Sequence, residues 1–510
     1  MSNRDIAQAW QYHNATKHSF WSVRNDPHRL DWANEPLPFK VYRDLEPLPL
    51  PRELPSAGVA ALDAIAVPEV PEEERVPDLT TLASLLYFSA GITKRLRYPG
   101  GEIYFRAAAC TGALYHIDLY LVCGDLPGLE AGVYHFGPHD FALRRLRRGD
   151  YRSSLAEAAG GEPAVASAPL TLISASTFWR NAWKYRARTY RHCFWDSGTI
   201  LANLLALASA HRLPHRLVLG FVDDVVRELL GLDREREAPL ALLALGRTTR
   251  PLPGQSPPLT PLHLETVPLS RHEVDYPELR AIHRASSLAS AEEVAAWRGG
   301  PPPLPLPAPG GRLFPLQPLS DPPSDPLEQV VLRRGSARRF AREAISFQEL
   351  STVLERATRG IPSDCLGSRG TGLVHIYLIV NAVESLPPGA YLYRHREGAL
   401  ELLREGDCRE QAGYLALEQP LGADASADIY FLSPLGPVLE RFGNRGYRAA
   451  QMEAGIMGGK VYLAAYALRR GATGLTFYDD EVTEFFSPSA RDESVMFLTA
   501  VGVPYRRLRS

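Results

Sequence analysis

The chain carries its own duplicate. "AGVYHFGPHDFALRRLRRGD" (131–150) aligns without a gap on "PGAYLYRHREGALELLREGD" (388–407), so that Gly132, Tyr134, Gly149 and Asp150 fall on Gly389, Tyr391, Gly406 and Asp407. "RTYRHCFWDSG" (188–198) falls on "RGYRAAQMEAG" (445–455) at the same offset, 389 − 132 = 257, which matches Arg188, Tyr190, Arg191 and Gly198 to Arg445, Tyr447, Arg448 and Gly455. One deletion later the offset is 256 and "GFVDDVVRELL" (220–230) meets "TFYDDEVTEFF" (476–486), each read as a strand end, an aspartate placed to N-cap, and a short helix. A duplication constrains the fold strongly: whatever unit forms must form twice, and two copies of one surface pair in a self-complementary way.

Length agrees. At 510 residues, with 45% hydrophobic and 22% charged, the chain supports two globular cores. The division expected is a first domain over 1–250, a proline-rich linker over 251–326 ("PPPLPLPAPGG", "PLSDPPSDP", with a short helix near "AEEVAAW") and a second domain over 327–510. A net charge of −2 gives no reason to expect nucleic acid or an anionic membrane as partner. Five scattered cysteines lack the spacing of a zinc site or a redox dithiol and suit a reducing compartment. The start does not read as a secretory signal, and no apolar run is expected to span a membrane. A cytoplasmic protein is the expectation.

Within each copy, "IDLYLVC", "PLTLISAS" and "PLALLALG", then "HIYLIV", "DIYFLS" and "VMFLTAVG", read as strands. "SGTILANLLALASAH" (197–211) and "AGIMGGKVYLAAYALRR" (454–470) are apolar nearly all round, the pattern of helices buried on every side. Gly455, Gly458 and Gly459 would let two such helices approach closely. The expected class is therefore α+β, one unit occurring twice and packed through its central helices as an intramolecular pseudo-dimer.

Three stretches carry candidate chemistry. "RRGSARRF" (333–340) offers the planar donors of Arg333, Arg334, Arg338 and Arg339 and the hydroxyl of Ser336, which suit a phosphate or a polarised carbonyl, or else form a solvated helix face. "FRAAACTGALYHIDLY" (105–120) sets Arg106, then small residues with Cys110 and Gly112, before a strand; such a loop lets backbone amides approach a flat ligand, or is an ordinary turn. "AWKYRARTYR" (182–191) places Lys184 beside Tyr185 near Trp179 and Trp183. That pair is a candidate general base and its assistant if it stands at an element end, since helix neighbours face apart; the alternative is a lysine stem packed on aromatics. His13, His18, His116, His135 and His192 show no metal-ligand spacing, and there is no GxGxxG after a strand, P-loop or GxSxG elbow.

Taken together and in order, "YHNATKHS", "SLLYFSAGIT", "RAAACTGALYHIDLYLV" followed by "GVYHF", "KYRARTYRHCFWDSG" and "RRGSARRF" resemble the nitroreductase-like flavoproteins. The branch they resemble is the SagB-type, McbC-like azoline dehydrogenases, here in tandem. The resemblance implies two nitroreductase-like FMN-binding domains forming an intramolecular pseudo-dimer, with FMN at the interface. It implies that Arg333, Arg334, Ser336 and Arg338, with Arg506 and Arg507 of "VPYRRLRS", hold the flavin phosphate and polar ring atoms. The loop from Arg106 through Cys110 to Gly112 would cover the same flavin from the other copy. Lys184 and Tyr185 match the Lys-Tyr pair that family uses in oxidation, Lys184 removing a proton with help from Tyr185.

The copies depart from each other. The first has the acidic "DAIAVPEVPEEERVP" where the second has its arginines, and the second has an altered loop, "DCLGSRGTG". One composite FMN site per chain is the expectation. Ala109 and Cys110 replace the family's usual Pro-Ser pair. The function implied is an FMN-dependent oxidoreductase converting an azoline to an azole in a modified peptide or acting on a related small substrate, with biosynthetic partner proteins. The alternatives are an NAD(P)H-dependent nitro- or quinone-type reductase and a non-catalytic scaffold that binds a peptide or partner.

Overall fold

The computed structural model describes residues 3–66, 73–98, 101–302, 304, 306–366 and 372–505. In chain order the strands of the first half are β1 (Pro47–Pro49), β2 (Ile92–Tyr98), β3 (Gly101–Arg106), β4 (Ile117–Cys123), β5 (Gly132–Gly137), β6 (Ala142–Arg148), β7 (Leu170–Thr177), β8 (His215–Val218) and β9 (Glu237–Leu245). Those of the second are β10 (Leu313–Pro315), β11 (His375–Val380), β12 (Gly389–Arg394), β13 (Ala399–Glu405), β14 (Ala427–Ser433), β15 (Gly471–Gly474) and β16 (Ser494–Gly502). All six runs expected as strands are strands.

Two seven-stranded antiparallel sheets result, in the orders β1-β6-β5-β4-β7-β9-β8 and β10-β13-β12-β11-β14-β16-β15. Counted within each half, the two orders are the same, so the duplication is one of topology as well as sequence. The hairpin β2–β3 belongs to the first half alone among the described residues and forms its own two-stranded sheet. Every residue of β4, β7 and β9 is buried, which explains why these runs are continuously apolar or small rather than alternating.

The helices Thr189–Ala210 and Asn444–Ala467 lie against each other at the centre, buried except for Ser209 and Tyr466. Glycine decides how close they come. A Cβ on Gly198 would lie 2.6 Å from the Gly455 carbonyl carbon, and one on Gly455 would lie 2.9 Å from the Phe194 oxygen, so the crossing point is glycine on glycine, in register. Gly459 likewise admits Ala202, whereas Gly458 faces Phe497 of the sheet rather than the partner helix. By length and apolarity the stretch Phe178–Ala210 would suffice to cross a bilayer, contrary to the sequence expectation; 94% of its apolar window is buried, because the second copy's helix and the sheet cover it.

Asp223 and Asp479 do not cap their helices as expected. The N-caps are Val222 and Tyr478, without a side-chain cap, because both carboxylates are taken by arginines of the opposite copy. Asp223 accepts from Arg445 Nη1 (2.5 Å) and Arg448 Nη1 (2.6 Å); Asp479 accepts from Arg188 Nη1 (3.0 Å) and Arg191 Nη1 (2.6 Å). Since Arg445 and Arg448 are the register partners of Arg188 and Arg191, this is one buried cluster made twice, each copy lending its aspartate to the other's arginines.

The N-terminal arm is duplicated too. Helix Ala7–Ala15 and the Ser19-capped turn after it recur as helix Pro277–Ala285 and the Ser290-capped helix Ala291–Trp297, inside the stretch expected as a linker. Arg191 donates to the His13 carbonyl and the Thr16 hydroxyl; Arg448 donates to the His283 carbonyl and the Ser286 hydroxyl, and 283 − 13 equals 286 − 16. The five cysteines are free thiols, and no group of His, Cys, Asp or Glu among the described residues could hold a metal.

Candidate functional site

The arginine-rich stretch of the second copy and the small-residue loop of the first meet. Arg334 ends the helix Leu327–Arg333 as its C-cap, which turns its side chain onto the other copy. There its Nε donates to the Ala107 carbonyl at 2.9 Å and its Nη2 to the Arg106 carbonyl at 3.0 Å. The Ser336 hydroxyl shares a 3.1 Å hydrogen bond with the Tyr462 hydroxyl, which accepts from the Gly474 amide at 2.5 Å. Arg333 donates to Asp325 (2.7 Å) and the Tyr466 carbonyl (2.8 Å), and its buried Nε has no partner among the described residues. Arg338 is exposed, and Arg506 and Arg507 lie outside the described residues.

Arg106 is buried, donating Nη2 to the Pro38 carbonyl (2.6 Å), with its guanidinium over the rings of Tyr115 and Phe39 and its Nε without a partner among the described residues. Burial, and then the nearby Arg180, lower it to about 10, still a cation at neutral pH.

The loop is held by one face of the first copy's central helix. Asp196 accepts from the Thr111 amide (2.9 Å), the Thr111 hydroxyl (2.8 Å) and the Cys110 thiol (3.1 Å), and is bonded to His116 Nε2 at 3.0 Å. Thr199 donates to the Ala109 carbonyl at 2.7 Å, and Asn203 to the carbonyls of Phe88 (2.9 Å) and Ala107 (3.4 Å). Three, then four residues apart, these side chains share a helix face. Burial and the Asp196 carboxylate push the Cys110 thiol up, so it serves as a donor rather than a thiolate. A cleft between Ser89, Ala90, Arg106, Cys110, Tyr115 and Asp196 opens beside the loop. The largest cavity described, about 680 Å³, lies elsewhere, beneath residues 259–269, and touches none of these groups.

Lys184 and Tyr185 are the last two residues of helix Phe178–Tyr185, the element end their joint use requires. Gly112 stands at φ +63°, and a Cβ there would lie 2.8 Å from the Tyr185 hydroxyl oxygen, so glycine allows the phenol to rest on the loop. Tyr185 also meets His192 edge-on at 4.7 Å, and the Lys184 ammonium lies 5.4 Å from the Tyr185 ring centre. Burial, then Asp196, then Cys110 hold the Tyr185 phenol above its ordinary value, so it is protonated at neutral pH. The structure thus gathers Arg106, Cys110, Gly112, Tyr185 and Arg334 about one loop, with Ser336 bonded to Tyr462 on the second copy's side.

The register partners in the other half are different residues. Arg441 and Phe442 stand where Lys184 and Tyr185 stand, and Glu453 and Lys460 where Asp196 and Asn203 stand. Glu453 accepts from the amides of Gly372 and Leu373 (both 2.6 Å), and Lys460 donates to the Gly360 carbonyl (2.9 Å). Asp364 accepts from the amides of Leu219 (2.9 Å) and Gly220 (2.8 Å), while Trp297 packs on Gly220 and Phe442 and donates to the Phe442 carbonyl. At this second position Asp364 and Trp297 bind the backbone of the chain itself. The acidic stretch 63–77 and the loop 364–372 fall partly outside the described residues.

Sequence reasoning missed Asp196, His116, Thr199, Asn203 and Tyr462. A signal existed for the first: Asp196 and Glu453 are the single acids of the two central helices, and they stand in register.

Residues 108–247 and 331–503 match the Nitroreductase family. A protein of Methanocaldococcus jannaschii named as a nitroreductase is 29% identical over 169 residues, 33% of this chain and 80% of that protein. The microcin B17-processing protein McbC of Escherichia coli is 29% identical over 140 residues, 26% of this chain and 52% of its own length. A crystal structure from Anabaena variabilis, described as that of a nitroreductase, superposes with a TM-score of 0.78 at 27% identity, covering 98% of this chain and 99% of that one.

Proposed function

The chain belongs to the nitroreductase family, and on that premise we propose that it is an FMN-dependent oxidoreductase that oxidises an azoline to an azole in a modified peptide, with one FMN per chain. The observation that carries the site is the pair of hydrogen bonds from Arg334 of the second copy to the carbonyls of Arg106 and Ala107 in the first, within the loop on which Tyr185 rests. The peptide substrate and biosynthetic partner proteins are supported by the likeness to McbC, whose name assigns it to processing of microcin B17.

The donor set fits FMN. Two buried guanidinium nitrogens, Arg333 Nε and Arg106 Nε, lack partners among the described residues, and the segment of Arg333 adds the Ser336 hydroxyl and the exposed Arg338, donor types suited to phosphate and carbonyl oxygens. Ala107, Ala108 and Ala109 keep the opposite wall free of long side chains, and the left-handed Gly112 lets Tyr185 close over the end of the loop. Bound there, FMN supplies the two-electron acceptor that an azoline oxidation requires.

The chain's own residues manage the proton. Oxidation of an azoline to an azole removes one proton and one hydride. Lys184, half-buried at the helix end, takes the proton at Nζ. The Tyr185 hydroxyl, kept protonated, donates a hydrogen bond that orients the ring being deprotonated. The bonds that Trp297 and Asp364 make to backbone at the second position, and the absence there of a Lys-Tyr pair, support one flavin rather than two. The division at 1–250, 251–326 and 327–510 is amended in this proposal by the duplicated arm, which places the start of the second unit near residue 275.

The test is the visible absorption spectrum of the purified protein with released flavin quantified. One equivalent of FMN, bleached by a thiazoline-bearing synthetic peptide in the wild type and not in Lys184→Ala or Tyr185→Phe, supports the reading. Bleaching by NAD(P)H alone, with Lys184→Ala unimpaired, would move the activity to a nitro- or quinone-type reduction. A colourless protein that does not take up FMN would leave a peptide- or partner-binding scaffold.

A further inference from the structure

Directly after the Lys184-Tyr185 pair the backbone does something costly. Arg186 sits at φ +50°, ψ −136°, close to the first central position of a type II′ turn, where glycine dominates because a Cβ is crowded there. The duplicated half provides an internal control. Its register partner is Gly443 at φ +66°, ψ −160°, ending the helix Leu435–Phe442 in the same way. The chain therefore contains the unstrained solution to this turn, and uses it in the half that has Arg441-Phe442 instead of Lys-Tyr.

An arginine can do one thing here that a glycine cannot. Its guanidinium is ion-paired with Asp26 of the N-terminal arm, and Asp26 in turn accepts from the His28 amide at 2.9 Å. The side chains of Arg186 and Asp26 are 41% and 29% exposed. A pair so wet contributes little to stability and does not offset the strain of a non-glycine residue in this conformation. What the pair does is tie the turn that follows Tyr185 to the arm. Tyr185 itself is only half-buried, resting on Gly112 and edge-on to His192, and its position depends on where the helix stops.

We propose that Arg186 is a positioning residue for the Lys184-Tyr185 pair. Its strained backbone and its bond to Asp26 fix the last turn of the helix so that the phenol lies on the loop at Gly112. The inference rests on the reading of Lys184 and Tyr185 as the proton-handling pair, and its test has a readout that does not need turnover.

The test compares Arg186→Gly, Arg186→Lys and Asp26→Asn with the wild type in the full chain loaded with FMN, each carrying 3-fluorotyrosine at position 185. The ¹⁹F spectrum of the wild type should show one narrow resonance; Arg186→Gly and Asp26→Asn should broaden or split it, and Arg186→Lys should restore most of it. With a thiazoline-bearing peptide, kcat should fall about tenfold in Arg186→Gly while KM stays within about twofold, as misplacement of a reacting group predicts. Flavin content and Tm should be unchanged, or Tm raised, because strain is released. An unaltered resonance and unaltered kcat in Arg186→Gly would overturn the proposal, and so would a loss of kcat that only tracks a loss of Tm and flavin. Should Arg186→Gly fail to fold, Asp26→Asn, which leaves the backbone untouched, gives the same reading. If the wild type takes up no FMN, the redox reading fails by itself, and the fluorine comparison still decides whether Arg186 positions Tyr185.

Discussion

Replacing Asp479 with alanine leaves Arg188 and Arg191, 4% and 0% exposed, with no ion-pair partner among the described residues. Asp223→Ala does the same to Arg445 and Arg448, 1% and 3% exposed. Breaking a buried pair by removing one partner costs about 3–5 kcal/mol, because the survivor stays desolvated and uncompensated. For units of roughly 200 residues this is a fall in Tm of about 10 °C. Asp480, one residue from Asp479, is the control: its bond to Lys17 is at the surface, its side chain 74% exposed, and Asp480→Ala should cost under about 1 kcal/mol.

The same clusters predict an acid limb. Burial alone would raise the Asp223 carboxyl, but Arg445 and Arg448 outweigh it and bring it down to about 2; Asp479 is lowered further still by Arg188 and Arg191. A depressed carboxylate adds stability above its unfolded value near 3.9, and that stability is lost as the pH falls through the folded value, so the Asp223 cluster adds roughly 2–3 kcal/mol at pH 7 that disappears between about pH 4 and pH 2, and the Asp479 cluster adds more and is lost at lower pH still. Thermal melts followed by circular dichroism at pH 7 and across this range measure both effects. If Asp223→Ala and Asp479→Ala melt with Asp480→Ala, or if the acid limb survives in the double variant, the clusters are not what joins the copies.

Gly198→Val and Gly455→Val should each cost about 3 kcal/mol or more, measured by urea unfolding, since the added atoms meet backbone that has no rotamer to yield. Lys460 is lowered to about 8 by burial, below its ordinary 10.5, so the folded state carries a penalty at every pH under 8. Lys460→Met should therefore raise stability by roughly 2 kcal/mol at pH 7, after loss of the bond to Gly360, and the gain should vanish as the pH rises towards 10.5. Arg334→Ala should lose most of its FMN, scored by flavin released per chain, whereas Arg441→Ala, in the other half, should retain one equivalent.

The duplication, the strand runs and the two central helices were legible because they follow from periodicity: continuous apolar runs for strands covered on both faces, apolar residues all round for buried helices. The paired glycines were legible as permission for close approach, and the structure brings Gly198 and Gly455 into contact. The candidate site was legible in its pieces. Arg334, Ser336, Arg106, Cys110, Gly112 and Tyr185 stand in three segments of the sequence, and nothing local says that they meet.

What the tertiary structure decided is how the halves exchange parts. Asp223 and Asp479 have the sequence of helix caps, yet each turns to the other copy's arginines, because two buried guanidinium groups outweigh one helix N-terminus. Asp196 is one acid on an apolar helix until the loop 110–116 folds over it. The arm at 277–297 was hidden by the proline-rich composition around it, and only its repeated contacts with Arg445 and Arg448 identify it as a second copy of the N-terminus. The sequence alone sets which residues prefer to be buried and how often they recur. Which of two like surfaces each charged group faces is a long-range choice, made when the copies pack and desolvation forces every buried charge to find its partner.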